Sequence, residues 1–554
     1  MHLKRIEIAN FRGVQRLSLS FDELTVLIGE NAWGKSSLLD ALDLFLSPHL
    51  DHYQCRQKDF FVDHTHKQTA ASTLYIVMVW QEDYLEERLI HRYRAFRSYW
   101  QTNNEQYQAL YFSLSAHQKE GKVVTHYAML DNQGNELICL DIKRLLAQFR
   151  VLHPLVRIRD ARRLRNLDLS EDLTSPFSNG NGNGKEQNPI QQRLTKRLNN
   201  TTRRLLTQPG HVNAGELKSS IHALQSLVEH YFAFAPHNRA HKRGRHIRQD
   251  NHSPLSMLNQ RHLNKSQKLL LISLLNAFIR ARGAVALKRL SRPLLVLEDP
   301  EGRLHPTLLH QAWAFFAPLP IQKIITTNSA ELLGATPLDA IRRLQRAQNK
   351  TRVFAIESDL LSDDELRRVT FHVRYHRPNA FFARVWLLVE GETEIWLFSE
   401  LAKLLGFDLA SEGIQLIDFA QSGLKSLLKT ANKLGIEWHL VTDGDPAGKK
   451  YAQTGLRFLN GLAEKQRVTI LPNQDMEHYL YHQGYAPLFH ELANVSQQTP
   501  MTERRVISKA LKHHAKPDVA LAIMKYTEER ANTEIPVLLK QILIRVIALS
   551  RGQS

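Results

Sequence analysis

Cysteine is scarce: Cys55 and Cys139 are the two thiols in 554 residues. Two cannot build a disulfide framework or a cysteine-rich metal centre, so a reducing cytoplasm is the expected location. Long apolar runs are lacking too. Nowhere do about 18 apolar residues run uninterrupted, and no membrane-spanning helix is expected. Met1 to Asn10 sets Arg5 and Glu7 between Leu3, Ile6 and Ile8, which reads as a strand and not as a secretory leader. Acid is in deficit: 55 Asp and Glu stand against 73 Lys and Arg, a formal net charge of +18 with 27 histidines besides. Clustered cations gain affinity for phosphates by displacing counterions, so the surplus points to a polyanionic partner, with a solubility bias as the alternative. Hydrophobic content of 43% with 23% charged residues is globular rather than disordered.

Length alone predicts about three to four units, since domains run at roughly 100–200 residues. Residues 1–150 are strand-rich, with expected strands at Leu3–Ala9, Leu17–Phe21, Leu24–Ile28, Leu74–Trp80, Tyr107–Leu114 and Val123–Leu130. Residues 151–261 read as a helical insertion. It contains an Asn/Gly-rich loop at 175–189, and Leu217, Ile221, Leu224, Val228 and Tyr231 recur at helical spacing, a candidate oligomerisation arm. Apolar strands return at Leu294–Leu297 and Ile321–Thr326 within 262–378, and at Trp386–Val389 and His439–Thr442 within 379–554. Strand and helix alternate there, the pattern of parallel α/β sheets.

Gly29 to Ser36 fits GxxxxGK[ST], directly after an apolar strand and at the start of a helix. Glycines let backbone N–H groups wrap a phosphate, Lys35 reaches the β/γ-phosphates and Ser36 ligates Mg²⁺. The expected ATP-binding segment comprises Gly29, Glu30, Asn31, Gly34, Lys35, Ser36 and Ser37. Far downstream, Leu294–Leu297 is a buried-strand pattern ending in Glu298 and Asp299. It would deliver Glu298 to the nucleotide's Mg²⁺ and Asp299 to the attacking water.

This arrangement, with Leu304-His305-Pro306 following, resembles the ABC-type ATPases of recombination and chromosome maintenance. The resemblance implies a nucleotide sandwiched between two heads. It places a signature loop at Leu263–Gln267, where Lys265 and Ser266 replace both family glycines. It also places a switch residue at Asn328, where the family usually has histidine. Asn328 bonds a phosphate or water but cannot carry a proton; together with the two replaced glycines, this predicts slow or DNA-dependent ATP hydrolysis. Gln81 is a candidate Mg²⁺-sensing glutamine, with a plain surface residue as the alternative.

A second device lies near the C-terminus. Trp386–Val389 runs into Glu390-Gly391-Glu392-Thr393-Glu394, and His439–Thr442 runs into Asp443-Gly444-Asp445. In a parallel sheet, acids at adjacent strand ends converge on one crevice and call for a cation; oxygen ligands select Mg²⁺ or Mn²⁺. Acids that merely cap helices account for one such cluster but poorly for two. The pattern resembles the Toprim fold of topoisomerases, primases and certain nucleases. By that resemblance Glu390 is the catalytic glutamate, Asp443 and Asp445 bind metal, and Glu394 faces the same metal. Glu477, with Asp475 as a second candidate, serves a second metal, and Lys516 stabilises the scissile phosphate. Tyr479 and Tyr481 lie nearby without the context of a nucleophile.

Taken whole, the chain resembles the OLD family of ATP-dependent endonucleases, in its YbjD-like branch. The implied fold class is α/β: an ABC-type P-loop ATPase head with a helical insertion, followed by a Toprim parallel-sheet domain. The resemblance implies a homodimer built on the heads and the insertion, with ATP and Mg²⁺ or Mn²⁺ as cofactors and DNA as substrate. Arg239, Lys242, Arg243 and Arg245, in an acid-free run at His237–Gln249, and the run Arg157–Arg165 are the expected phosphate track. The rival reading is an ATP-gated DNA clamp or repair scaffold that does not cut; a topoisomerase or primase is a third class.

Overall fold

The computed structural model describes residues 1–159 and 291–552, except 31–32, 47–52, 64–68, 103–106, 120–121, 303–305, 308, 311–312, 314–316, 318–320, 348–349, 460, 462 and 530–534. Asn31, His305, Leu263–Gln267, most of the expected insertion and the run His237–Gln249 lie outside the described residues. The chain forms two compact units, Met1–Thr336 with Ala340–Val353, and Pro337–Asp339 with Phe354–Ser554.

In chain order the first unit contains β1 (His2–Phe11), β2 (Val14–Ser20), β3 (Leu24–Ile28), α1 (Lys35–Leu46), β4 (Thr73–Gln81), β5 (Gln108–Lys119) and β6 (Lys122–Leu130). After α2 (Ile142–Leu152) come β7 (Leu155–Arg159), β8 (Leu294–Glu298), β9 (Lys323–Thr326), β10 (Ile341–Ala347) and β11 (Lys350–Ala355). One sheet is antiparallel, with β6, β5, β4, β1 and β2 as successive neighbours. Leu3, Ile6 and Ile8 of β1 are all buried, although strict alternation would put Leu3 and Ile6 on opposite faces. The register shift between Leu3 and Arg5 against β4 resolves this: a bulge returns both side chains to the core.

The other sheet has the order β7-β8-β9-β3-β10-β11, and its pairs from β7 through β10 are parallel. Val26, Leu27 and Ile28 of β3 and Leu294–Leu297 of β8 are consecutive buried apolar residues because parallel strands are covered on both faces. β9 separates the phosphate-loop strand from the acid-ended strand. The turns after β3, β9 and β8 all leave at the carboxyl edge, where open α/β sheets bind ligands.

Gln81 is not a surface residue; it is buried. It pairs with His2, at the far end of β1 from the Arg12–Gly13 tip that meets α1, so about 30 Å of strand separates it from the phosphate loop. That distance removes it as a Mg²⁺ sensor within this unit.

The second unit begins with α3 (Asp363–Val369), whose axis continues through a π-helical turn at Thr370–Tyr375. Then follow β12 (Val385–Val389), α4 (Glu392–Leu404), β13 (Ile414–Asp418), α5 (Leu424–Leu434), β14 (Glu437–Thr442) and α6 (Pro446–Leu456). β15 (Val468–Ile470), α7 (Met476–Leu480), α8 (Lys516–Glu529) and α9 (Val537–Ser550) complete the elements used below. Four strands form a parallel sheet in the order β13-β12-β14-β15. Val385, Leu387 and Val389 pack with Leu397 and Leu401 of α4 and with Leu539, Leu543 and Val546 of α9. Residues 356–378, grouped by sequence with the ATPase part, belong to this unit: Lys429 binds Glu365 at 2.8 Å and Arg377 binds Asp418 at 2.5 Å. Among the described residues, no helix is long and apolar enough to cross a membrane.

His439 on β14 is fully buried, its Nδ1 2.8 Å from the Gln466 carbonyl and its Nε2 3.0 Å from Thr469 Oγ1. The carbonyl can only accept, so Nδ1 carries the proton and Nε2 accepts from the hydroxyl. Burial pushes this imidazole down from 6.5 to about 4. Between those values the unfolded chain binds a proton that the folded one refuses, so stability rises with pH across the window and is lost as pH falls through it. Urea unfolding at pH 5 should therefore show about 2 kcal/mol less stability than at pH 7 from this residue. His439→Gln should flatten that slope; an unchanged slope contradicts the assignment.

Candidate functional site

In the first unit the phosphate loop is shaped by two glycines with positive φ, Gly29 at 143° and Gly34 at 98°. A Cβ on Gly29 would stand 2.7 Å from the Leu344 carbonyl, and one on Gly34 2.7 Å from Val14, so neither position admits a side chain. Glu30 closes the turn by accepting from the Trp33 N–H at 3.0 Å. Lys35 is buried, and its ammonium donates to the Gly29 carbonyl and to Asn328 Oδ1, both at 2.6 Å. Burial pulls its pKa down while Asp299 and Glu301 push it up. Ser36 is exposed on the first turn of α1, while Ser37 accepts from the Gly13 N–H at 3.3 Å and so faces the β1–β2 hairpin.

The acids of β8 divide their contacts. Glu298 is held by Arg157, whose Nη2 and Nε lie 2.8 and 3.0 Å from Oε2. Arg157 also binds Asp40 at 2.7 Å and Asp43, both on α1, and its side chain is 6% exposed. It therefore ties Glu298 to α1 and is not free to track DNA, contrary to its place in the expected basic run. Asp299 adopts φ 43°, a left-handed conformation uncommon for a residue with a side chain. Its Oδ1 accepts from Thr326 Oγ1 at 3.0 Å. Glu301, missed by the sequence reading, accepts from the Asn328 N–H at 2.7 Å, and burial raises its pKa. Lys35, Asn328 and Glu301 thus form a continuous bonded line across the carboxyl edge.

In the second unit Glu390 and Glu394 follow β12, Asp443 and Asp445 follow the adjacent β14, and Asp475 and Glu477 follow β15. Asp443 is pushed up to about 8, first by burial and then by Glu390, Glu394, Asp475 and Glu477. Four carboxylates from two neighbouring strand ends therefore act on a fifth. Close approach depends on glycine: a Cβ on Gly444 would stand 2.3 Å from the Asn473 carbonyl, and one on Gly448 2.1 Å from the Asp443 carbonyl. The Gly444 N–H donates to Asn473 O at 3.0 Å, which draws the β15–α7 turn, and with it Asp475 and Glu477, toward Asp443.

Helix capping accounts for part of this set. Asp445 accepts from the Gly448 N–H at 2.6 Å, Asp475 from the His478 N–H at 2.8 Å, and Glu394 from the Gly391 N–H at 2.9 Å. Each of these bonds engages a single carboxylate oxygen. Among the described residues, no three His, Cys, Asp or Glu side chains form a closed metal cage. Like charges stand apart unless a cation or a proton joins them. The donor set is all oxygen, anionic and partly desolvated, and so fits Mg²⁺ or Mn²⁺. Lys516 opens α8, while the expected DNA residues Arg239, Lys242, Arg243 and Arg245 lie outside the described residues. Tyr479 is buried, and Tyr481 Oη stands 3.1 Å from His490 Nε2.

The family described as "Protein of unknown function (DUF2813)" matches residues 1–380, and "Overcoming lysogenization defect protein-like, TOPRIM domain" matches 381–445. "Uncharacterized protein YbjD" of Escherichia coli (strain K12) is 38% identical over 565 residues, covering 100% of both chains. The chain belongs to the YbjD-like branch of the OLD family. Solved structures similar to it include an SMC head domain from Thermotoga maritima, at 13% identity and TM-score 0.31 over 64% of this chain and 100% of that one. The C-terminal region of the Burkholderia pseudomallei OLD protein is similar at 17% identity and TM-score 0.26, over 30% of this chain and 99% of that one. As an OLD-family member the chain joins a P-loop head to a Toprim domain. The Toprim match contains Glu390, Glu394, Asp443 and Asp445, and ends before Asp475, Glu477 and Lys516.

Proposed function

We propose that this OLD-family chain is an ATP-regulated, divalent-metal-dependent DNA endonuclease that hydrolyses phosphodiester bonds. The observation that carries the reading is the convergence of four carboxylates on Asp443, whose pKa is raised to about 8, first by burial and then by those neighbouring charges. A simple cap needs no such convergence. Glu390 and Glu394 from β12, with Asp443 and Asp445 from β14, would hold one cation, and Glu477 a second. A bound pair of cations would activate water and offset charge on the leaving oxygen of an in-line displacement. Glu390 orients the water, and Lys516 takes charge on the scissile phosphate. The turn at Gly444 keeps the third acidic element in reach.

ATP would lie on the Gly29–Ser36 loop, with its cation on Ser36 and Glu298 and its γ-phosphate near Lys35 and Asn328. Asp299 is the group proposed to polarise water there; Asn328 holds position without exchanging a proton, which makes hydrolysis slow. Two chains pairing through their heads and insertions would complete the nucleotide site, and Arg239, Lys242, Arg243 and Arg245 would bind DNA phosphates.

The rival clamp reading keeps ATP-dependent DNA binding but no chemistry. Supercoiled plasmid incubated with Mn²⁺, with and without ATP, separates the two. Lys35→Ala should remove the effect of ATP on nicking while leaving metal-dependent cleavage detectable, whereas Glu390→Gln should remove cleavage in both conditions. DNA retention that depends on ATP, with wild type and Glu390→Gln equally unable to nick, supports the clamp. A change of linking number without nicks supports a topoisomerase.

A further inference from the structure

The second unit carries a surface that the carboxylate reading leaves unused. Residues 366–377 hold four arginines and two histidines with no acid. They run from α3 through the π-helical turn at Thr370–Tyr375, a geometry frequent at functional sites. Val369 and Val373 turn inward to the core, while Phe371 and Tyr375 are 52% and 58% exposed on the outer face. Spacing of four residues puts Arg367, Phe371 and Tyr375 in one row.

The cations stand around the rings. Arg374 lies 4.7 Å from the Tyr375 ring centroid, and its Nη2 donates to Tyr375 Oη at 2.8 Å. His372 and His376 meet the Phe371 ring edge-on, at 5.0 and 4.7 Å between centroids. Arg367 and Arg368 share Asp364, at 2.7 and 2.9 Å, in exposed pairs that a phosphate can outcompete. Helix-end electrostatics alone would account for acids at the start of α3 and arginines at its end. It gives no reason for two large rings in water.

Position supplies the link to the crevice. Arg377 binds Asp418 at 2.5 Å, and Asp418 at the end of β13 is paired in register with Val389, the residue before Glu390. The row of rings and cations therefore ends at the edge of the sheet from which the carboxylates project. Duplex bases offer no free face to such rings; an unpaired strand offers both stacking faces and a phosphate backbone.

We propose that this face is the docking rim for an unpaired DNA strand entering the carboxylate crevice, with bases on Phe371 and Tyr375 and phosphates on Arg367 and Arg374. The proposal rests on the nuclease reading for its destination, but strand binding itself needs no metal. Full-length protein in EDTA is titrated into a fluorescein-labelled oligothymidine of about 20 nucleotides and into a duplex of equal length, read by anisotropy. Phe371→Ala with Tyr375→Ala should weaken strand binding roughly tenfold or more and change duplex binding less than about twofold. Phe371→Trp should retain it. Arg367→Gln with Arg374→Gln should reduce the salt dependence of strand binding.

Unchanged strand affinity in a double variant of wild-type thermal midpoint overturns the proposal, as does an equal loss for strand and duplex. Loss of the oligomer by light scattering together with lost binding assigns the face to self-association instead, and also overturns it. Failure here is distinguishable from failure of the nuclease reading. A protein that binds the strand through these rings yet never nicks plasmid refutes only the nuclease, and one that nicks while the double variant binds unchanged refutes only the rim.

Discussion

Asp443→Asn should lower metal-dependent nicking at least about 100-fold and, in metal-free buffer at pH 8.5, make the protein more stable than wild type. The two effects share one cause. Burial and the four surrounding carboxylates raise the Asp443 pKa from 3.8 to about 8. The folded chain thus holds a proton that the unfolded chain has released, and wild-type stability falls as pH rises through that window. Asparagine is neutral throughout, so it escapes the penalty. Solvent reaches part of this group, and screening brings the expected gain to about 1–2 kcal/mol, fading toward pH 4. Saturating Mg²⁺ should cancel or reverse the gain, because the cation offsets the wild-type charge. Thermal unfolding of both proteins in EDTA and in Mg²⁺, beside a plasmid gel, reads both outcomes. A variant less stable than wild type without metal would mean that Asp443 is a structural acid.

Arg157→Ala should cost about 3–5 kcal/mol of stability in the first unit, the loss expected when one partner leaves a buried ion cluster. One guanidinium joins Glu298, Asp40 and Asp43, so its removal leaves three carboxylates facing one another on β8 and α1. Arg12 compensates in part through Asp40. Arg157→Lys keeps the charge but loses the paired Nε and Nη2 contacts to Glu298 Oε2 and should recover only part of the loss. The salt dependence of DNA binding should stay as in wild type for both variants. A milder thermal shift combined with a reduced salt slope would return Arg157 to the DNA track.

Arg157 also shows where sequence reading stops. Its partners lie 114 to 141 residues away, and in the sequence it stands among other arginines, so a basic run was the natural interpretation. The strand before Gly29 and the three acid-ended strands were legible because a short polar motif directly after an apolar run marks a strand end. Convergence of Glu390 on Asp443 followed from the parallel-sheet rule, and β12 and β14 are indeed neighbours. β13 and β15 escaped notice: one interleaves Gln415 in a short apolar run and the other has three residues. Asp418, and with it the anchoring of Arg377, was therefore invisible. Glu301 went unremarked because its value comes from the backbone N–H of Asn328, a contact made only by the order of β8 and β9 in the sheet. Gln81 failed for the opposite reason: its type and its place at a strand end were suggestive, but strand direction carries it away from the nucleotide edge.

The central claim is that the carboxylates of the second unit cut DNA with a divalent cation. Its most direct measurement is the rate at which purified full-length protein converts supercoiled plasmid to open-circular or linear DNA in Mn²⁺, against EDTA and against Glu390→Gln prepared identically. The account predicts conversion by wild type in Mn²⁺ alone, and a rate at least about 100-fold lower for Glu390→Gln. Equal rates for the two proteins, or cleavage that persists in EDTA, would contradict it.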